Sequence, residues 1–247
     1  MLDLTLVSCN YNTPAQIETM LKSWAVFNEE VSRNCLIMEH SNNEDSIEFL
    51  NSNGVPYVRN RGAVHYRGVE AAFSLVNTRY MLLVDSDVVF NKPLMPILQH
   101  YIDSLIHVAG HVEGDRGGFL LHKRVHPWFC FIDVDFVRHH SLKYVDFHKV
   151  RKTGSEGFYG NIPTNEFHPV KKYDVGATFL EDVMAVNGRV LNHNIEGDYF
   201  THFEGMSWRK STDIQQLIDA ANETDKRFAV EYEKYINVDL KGFFNER

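Results

Sequence analysis

Between Leu4 and Asp85 four short apolar runs alternate with three helix-spaced patterns, and this alternation leaves few architectures open. Leu4 to Ser8 reads as a buried strand. Thr13 and Pro14 supply an N-cap and a proline at the first helical position, with Gln16 at capping-box distance, before Ile17, Met20, Leu21 and Trp24 at helical spacing. Leu36 to Met38 is a second strand, Ser46 to Leu50 a short helix closed by Gly54, and Pro56 to Val58 a third strand. Val69, Ala72, Phe73 and Val76 mark a third helix, and Tyr80 to Val84 a fourth strand that stops at Asp85-Ser86-Asp87. Strands alternating with helices imply right-handed crossovers and a mainly parallel sheet, whose ligands bind beyond the carboxyl ends of the strands. Cys9-Asn10-Tyr11-Asn12, Glu39, Asn60-Arg61-Gly62 and Asp85-Ser86-Asp87 all fall at those ends.

Composition supports one folded unit of this kind. The 247 residues are 44% hydrophobic and 23% charged, which excludes disorder, collagen-like repeats and coiled coils. The net charge of -8 argues against a general nucleic-acid coat. Cys9, Cys35 and Cys130 form neither a close metal-ligand pair nor an even disulfide set, as suits a reducing compartment. No signal peptide and no membrane-length apolar run is visible, so the chain reads as cytoplasmic.

The second half is less regular. Leu105 to Ala109 and His126 to Asp133 read as strands, and residues 149–172, with glycines and prolines, as a long loop. Asp174 is expected to open a helix that runs to about Asn187, followed by a strand over Arg189 to Asn192. Two amphipathic helices finish the chain, one with Ile214, Leu217, Ile218 and Ala221, the other with Phe228, Tyr232 and Tyr235.

The sharpest local signal is Asp85-x-Asp87. Carboxylates one residue apart on an extended chain point the same way, so both reach one hard divalent cation. A capped turn with solvated carboxylates is the alternative, but the position after an apolar strand at the ligand-binding edge favours the cation.

The order of these motifs resembles the family 2 glycosyltransferases, over Leu4 to about Ser207. The quoted residues are Ser8-Cys9-Asn10-Tyr11-Asn12, Glu39 where the family prefers Asp, Asn60-Arg61-Gly62, Tyr66-Arg67-Gly68, Asp85-Ser86-Asp87 and His202-Phe203-Glu204-Gly205-Met206-Ser207. Gly68 departs from the family's asparagine. The resemblance implies an α/β GT-A-like single domain, with a mainly parallel, Rossmann-like central sheet flanked by helices. Residues 1–95 would form the nucleotide-sugar half, 96–208 the acceptor half, and 209–247 a C-terminal helical extension. It also implies donor-binding roles for Cys9, Asn10, Tyr11, Asn12, Glu39, Arg61, Arg67, Asp85 and Ser86. Asp87 and His202 would hold Mn²⁺ or Mg²⁺.

The implied reaction moves a sugar from a nucleotide-diphosphate donor to an acceptor hydroxyl. The leaving diphosphate needs positive charge, from the cation and Arg67, and the acceptor needs a base. Asp174, at the expected helix start, is the first choice for the base. Asp182 of the family-like Glu181-Asp182 pair is the second. One base without a second nucleophile predicts inversion.

Residues 116 to 152 carry eight Lys/Arg against three Asp, and seven of the 13 histidines fall between His107 and His148. This segment reads as an acceptor face, with His126 and Trp128 lining the sugar site, or else as a solvated basic surface. The acceptor would be a glycan, a lipid, a protein or a modified nucleic acid, and a homo-oligomer is compatible with the sequence. Two other functions compete. A sugar-phosphate nucleotidyltransferase would share the sheet and the carboxylates, but it usually has a glycine-rich loop where this chain has Asn10-Tyr11-Asn12-Thr13. A non-catalytic sugar-nucleotide or glycan-binding module is the third reading.

Overall fold

A computed structural model describes residues 1–42, 44–62, 65–115, 121–152, 172–203, 206 and 223–244. The four alternating strands form as the sequence predicts: β1 (Leu4–Asn10), β2 (Cys35–Glu39), β3 (Tyr57–Arg59) and β4 (Tyr80–Asp85). Between them run α1 (Pro14–Asn28), α2 (Asp45–Ser52) and α3 (His65–Leu75). All three pairings among these strands are parallel.

The later elements are β5 (Val88–Phe90), α4 (Met95–Asp103), β6 (Val108–Glu113), β7 (Arg124–Asp133), α5 (Val134–His139), α6 (Phe147–Lys152), α7 (Ala177–Ala185), β8 (Val190–Asn192), β9 (Phe200–His202) and α8 (Glu223–Tyr235). The central sheet has seven strands in the order β3-β2-β1-β4-β7-β6-β8, and β5 and β9 form a separate antiparallel pair. Only β7 breaks the parallel rule, running antiparallel to both β4 and β6. The chain is therefore a mixed α/β domain with a mostly parallel sheet flanked by helices.

Both faces of the sheet are covered. In β1, Leu4 and Leu6 pack on the α1 side while Val7 and Cys9 pack on the α3 side, and in β4 Leu82 and Val84 alternate with Met81 and Leu83 in the same way. Strands buried on both faces read as continuous apolar runs, which is why these two were legible from sequence. On the α1 side Trp24 meets Phe90 edge-on at 5.1 Å, a contact worth about 1 kcal/mol beyond area burial.

Several expectations are corrected. The strand read over Leu105 to Ala109 begins at Val108, after Leu105 takes a positive φ of 53°. The capping box at α1 does not form: the Thr13 hydroxyl donates to Asn10 Oδ1 at 2.5 Å, and Gln16 is fully buried. Asp174 does not open a helix. Gly176 intervenes at φ 85°, where an added Cβ would stand 2.5 Å from the Val125 carbonyl oxygen, and α7 starts at Ala177. The helix around Ile214 to Ala221, most of the 149–172 loop, and Glu204, Gly205 and Ser207 lie outside the described residues. Of the C-terminal extension, α8 packs onto α1 and the β5–β9 pair: Lys22 Nζ donates to the Ile236 carbonyl at 2.8 Å and the Tyr235 hydroxyl to the Phe90 carbonyl at 3.3 Å.

Candidate active site

The carboxyl ends of β1, β2 and β4 are joined by a buried polar network. Asn10 Nδ2 donates to Glu39 Oε2 at 2.7 Å, and Glu39 Oε1 accepts from the Ser41 backbone N–H at 2.7 Å. Thr13 continues the chain to Ser86 Oγ at 3.0 Å. Asn10 and Glu39 are fully buried. Here the two residues expected to touch the donor brace the strand ends. The loop after β1 is stapled to the loop after β2: the Asn12 N–H donates to Ser41 Oγ at 2.8 Å, and Asn42 Nδ2 donates to the Tyr11 hydroxyl at 3.1 Å. Tyr11 remains 41% exposed beside this staple.

Past β4 the chain makes a tight turn through Ser86 and Asp87 into β5, whose partner β9 places Val88 opposite His202. That pairing assembles a compact group of ligands. His202 Nε2 lies 3.3 Å from Asp87 Oδ1 and 3.8 Å from Asp85 Oδ2, and one donor atom from each of the three residues falls within 4.8 Å of the others. Burial pushes the Asp87 carboxyl up, opposed by the His202 hydrogen bond and reinforced by the charge of Asp85. Burial alone would lower His202, but its bond to Asp87 and the charges of Asp87 and Asp85 raise it. Two carboxylates and an imidazole fit a divalent ion, and the structure brings Asp87 and His202, the two ligands expected from sequence, together with Asp85.

His65, at the start of α3, was not among the sequence candidates. Its Nε2 lies 3.5 Å from Asp85 Oδ1. Burial works against the Asp85 carboxylate, yet the close contact and charge of His65, with the charges of His202 and His126, hold it below its ordinary value. The i, i+2 spacing of Asp85 and Asp87 gave no hint of this partner, which arrives from another crossover. Gly68 on the same helix explains one departure from the family pattern: a Cβ there would stand 2.5 Å from His40 Nε2 and 2.8 Å from Cys9 Sγ. An asparagine there would require the His40 and Cys9 side chains to shift. Cys9 itself lies against the His65 carbonyl at 3.6 Å, and burial, with the charge of Asp85, pushes its thiol far up.

The two arginines are more peripheral. Arg61 is exposed and pairs with Glu44 at 2.7 Å, away from the ligand group. Arg67 is exposed and lines a cleft of about 440 Å³ with Tyr66, Glu70, Lys143, Val145, Asp146, Phe147 and His148.

On the other flank Trp128 stacks near His202, with ring centroids 5.5 Å apart, and touches His126 at 5.2 Å. His126 Nε2 lies 2.6 Å from Glu113 Oε1. Burial, then the charge of Arg124, brings His126 down to about 4, so its imidazole is neutral. Arg124 Nη1 in turn pairs with Asp174 Oδ2 at 2.6 Å. Asp174 is therefore tied to the flank carrying His126 and Trp128. Asp182 instead pairs with Lys149 at 2.7 Å, beside Glu181.

No family profile and no curated protein matches the chain by sequence. Solved structures match by fold. The galactosyltransferase LgtC in complex with donor and acceptor sugar analogs superposes with a TM-score of 0.54 at 12% identity, over 95% of this chain and 97% of that one. Staphylococcus aureus TarS 1–349 in complex with UDP gives a TM-score of 0.52 at 12% identity, over 96% and 71%. The mannosyltransferase PcManGT from Pyrobaculum calidifontis, in complex with GDP-Man and Mn²⁺, gives 0.50 at 10% identity, over 98% and 72%. Against the longer TarS chain, this chain spans 43% of its length. The likeness is one of fold: the chain has the GT-A-like architecture of these glycosyltransferases.

Proposed function

We propose that the chain is a metal-dependent, inverting glycosyltransferase that moves a sugar from a nucleotide-diphosphate donor to an acceptor hydroxyl. The observation that carries this reading is the convergence of Asp85, Asp87 and His202 at the carboxyl end of β4, in a fold shared with proteins solved with UDP, GDP-Man and sugar analogs. Asp87 and His202, with Asp85, would hold Mn²⁺ or Mg²⁺, whose charge would offset that of the departing diphosphate.

The chain's own residues divide the remaining work. His65 keeps Asp85 ionised, and Thr13, Asn10 and Glu39 hold the strand ends in place beneath the donor. Arg67 is assigned to the diphosphate, and Tyr11 and Asn12 to the nucleoside side. His126 and Trp128 form the acceptor wall. Of the two carboxylates considered for the base, Asp174 is favoured because Arg124 ties it to that wall, whereas Asp182 points at Lys149. A single base leaves no second nucleophile, so the product anomer is inverted. Residues 1–95 would serve the donor and 96–208 the acceptor. Among the described residues no helix is long and apolar enough to cross a membrane. The three buried free thiols suit the cytoplasm.

The test is incubation with a panel of nucleotide sugars and Mn²⁺. Hydrolysis of one of them, giving the inverted anomer by NMR and lost in Asp87→Ala, supports the reading. Failure to bind any nucleotide sugar, with or without metal, overturns it.

A further inference from the structure

A second group of side chains able to ligate a metal lies apart from Asp85, Asp87 and His202. His111 and Glu113 occupy alternate positions of β6 and so project to one side of it. The β6–β7 ladder shifts register between Gly110 and Val112, an irregularity of the kind that re-aims side chains beside a site. It brings His126 of β7 to the same place. His111 Nε2 lies 3.5 Å from Glu113 Oε2, His126 Nε2 lies 2.6 Å from Glu113 Oε1, and one donor atom from each of the three residues falls within 4.8 Å of the others. His126 is only 4% exposed, and its Nε2 makes no well-directed hydrogen bond although Glu113 is adjacent. A buried ring nitrogen that touches a carboxylate without a well-aligned bond to it is a ligand without an ideal protein partner.

We propose that His111, Glu113 and His126 bind a divalent transition ion of the zinc type, separate from the hard cation assigned to Asp85, Asp87 and His202. Two imidazoles and one carboxylate suit Zn²⁺ and Co²⁺ better than Mg²⁺. Ligand bonds of about 2.0–2.2 Å in a tetrahedral shell put donor atoms roughly 3.3–3.6 Å apart. His111 Nε2 already stands at that distance from Glu113 Oε2, whereas His126 Nε2 approaches the other oxygen, Oε1, and that contact needs to open by less than about 1 Å. The His126 proton would then sit on Nδ1. Arg124 lies 3.8 Å from Glu113 Oε1, but its nearer partner is Asp174 at 2.6 Å, which balances its charge. Trp128 stands between the two groups, with ring centroids 5.6 Å from His111 and 5.5 Å from His202, and so reports on both. The inference does not depend on the sugar-transfer reading.

The experiment is a Co²⁺ titration of the full chain after removal of metals by chelator, followed by visible absorption and tryptophan quenching. Wild type is expected to take two equivalents. Asp87→Ala should retain one, with both signals, and adding His111→Ala or Glu113→Gln to it should abolish both. In the wild-type background, Glu113→Gln alone should leave one equivalent. Circular dichroism verifies that each variant is folded, and the two substitutions at half-buried positions are independent of each other. The proposal is overturned if Asp87→Ala binds no Co²⁺, as for a His–Glu hydrogen-bonded brace, or if its remaining equivalent survives both His111→Ala and Glu113→Gln.

Discussion

His202 Nε2 stands 3.3 Å from Asp87 Oδ1 because β9 pairs with β5 and sets Val88 opposite His202. The strand pairing, not a loop, fixes the distance between the imidazole and the carboxylates. Removing the imidazole should therefore weaken metal binding without disturbing the ladder. His202→Ala is expected to lower Mn²⁺ affinity at least about tenfold by calorimetry, with the metal-free protein still folded by circular dichroism. An unaltered Mn²⁺ titration would remove His202 from the site.

The two candidate bases are distinguished by their partners. Asp174 contacts Arg124 on the His126–Trp128 flank, and Asp182 contacts Lys149. Asp174→Asn should keep nucleotide-sugar binding and lose at least about 100-fold in transfer, the lower range for a positioned base. Asp182→Asn should leave transfer nearly unchanged. The reverse pattern in kcat would reassign the base.

The first half of the molecule was legible because β1 and β4 are buried on both faces, so Leu4 to Val7, interrupted only by Thr5, and Tyr80 to Val84 stand out as short apolar runs. The Asp85–Asp87 pair was legible from its place at the end of such a run. His65 was not, because its role depends on α3 returning to β4, and nothing in its local sequence announces that. The β5–β9 pair escaped notice for a similar reason: each strand has three residues, too few for a period to show. The helix start at Asp174 failed because a capping residue and an ion-pairing residue look the same in sequence, and Gly176 was read as part of the helix although its φ of 85° ends the turn. Glu39 was found at the right strand end, but its burial against Asn10 and Ser41 appears only in three dimensions.

Glu70 gives a pH-dependent test in the cleft that Arg67 lines. Burial raises its carboxyl above the ordinary 4.5, while the Val145 N–H, donating at 2.8 Å, acts in the other direction with Tyr144 and Lys143. The folded state then keeps a proton that the unfolded chain has released, so the stability tied to this group is present below about pH 4.5 and is lost as pH rises through the folded pKa. Glu70→Gln keeps the oxygen that accepts from Val145 and removes the titration. Urea melts should show the variant more stable than wild type at pH 7, with the difference shrinking toward pH 4. A constant difference across that range would contradict the assignment.

Phe228 links the C-terminal helix to the ligand group. It is fully buried, packs with Ala15, Val89, Met206 and Tyr235, and meets Phe203 edge-on at 5.4 Å. Phe203 directly follows His202, and its N–H donates to the Asp87 carbonyl at 2.9 Å. A cavity at Phe228 therefore opens beneath the residues that hold the Asp87–His202 contact. Phe228→Ala is expected to cost about 3–5 kcal/mol in urea unfolding. It should also weaken Mn²⁺ binding, even though residue 228 touches none of the three ligands. Val230→Ala, at a 56% exposed position on the same helix, should change neither quantity. If Phe228→Ala lost stability but bound Mn²⁺ as tightly as wild type, α8 would support the fold without helping to position His202.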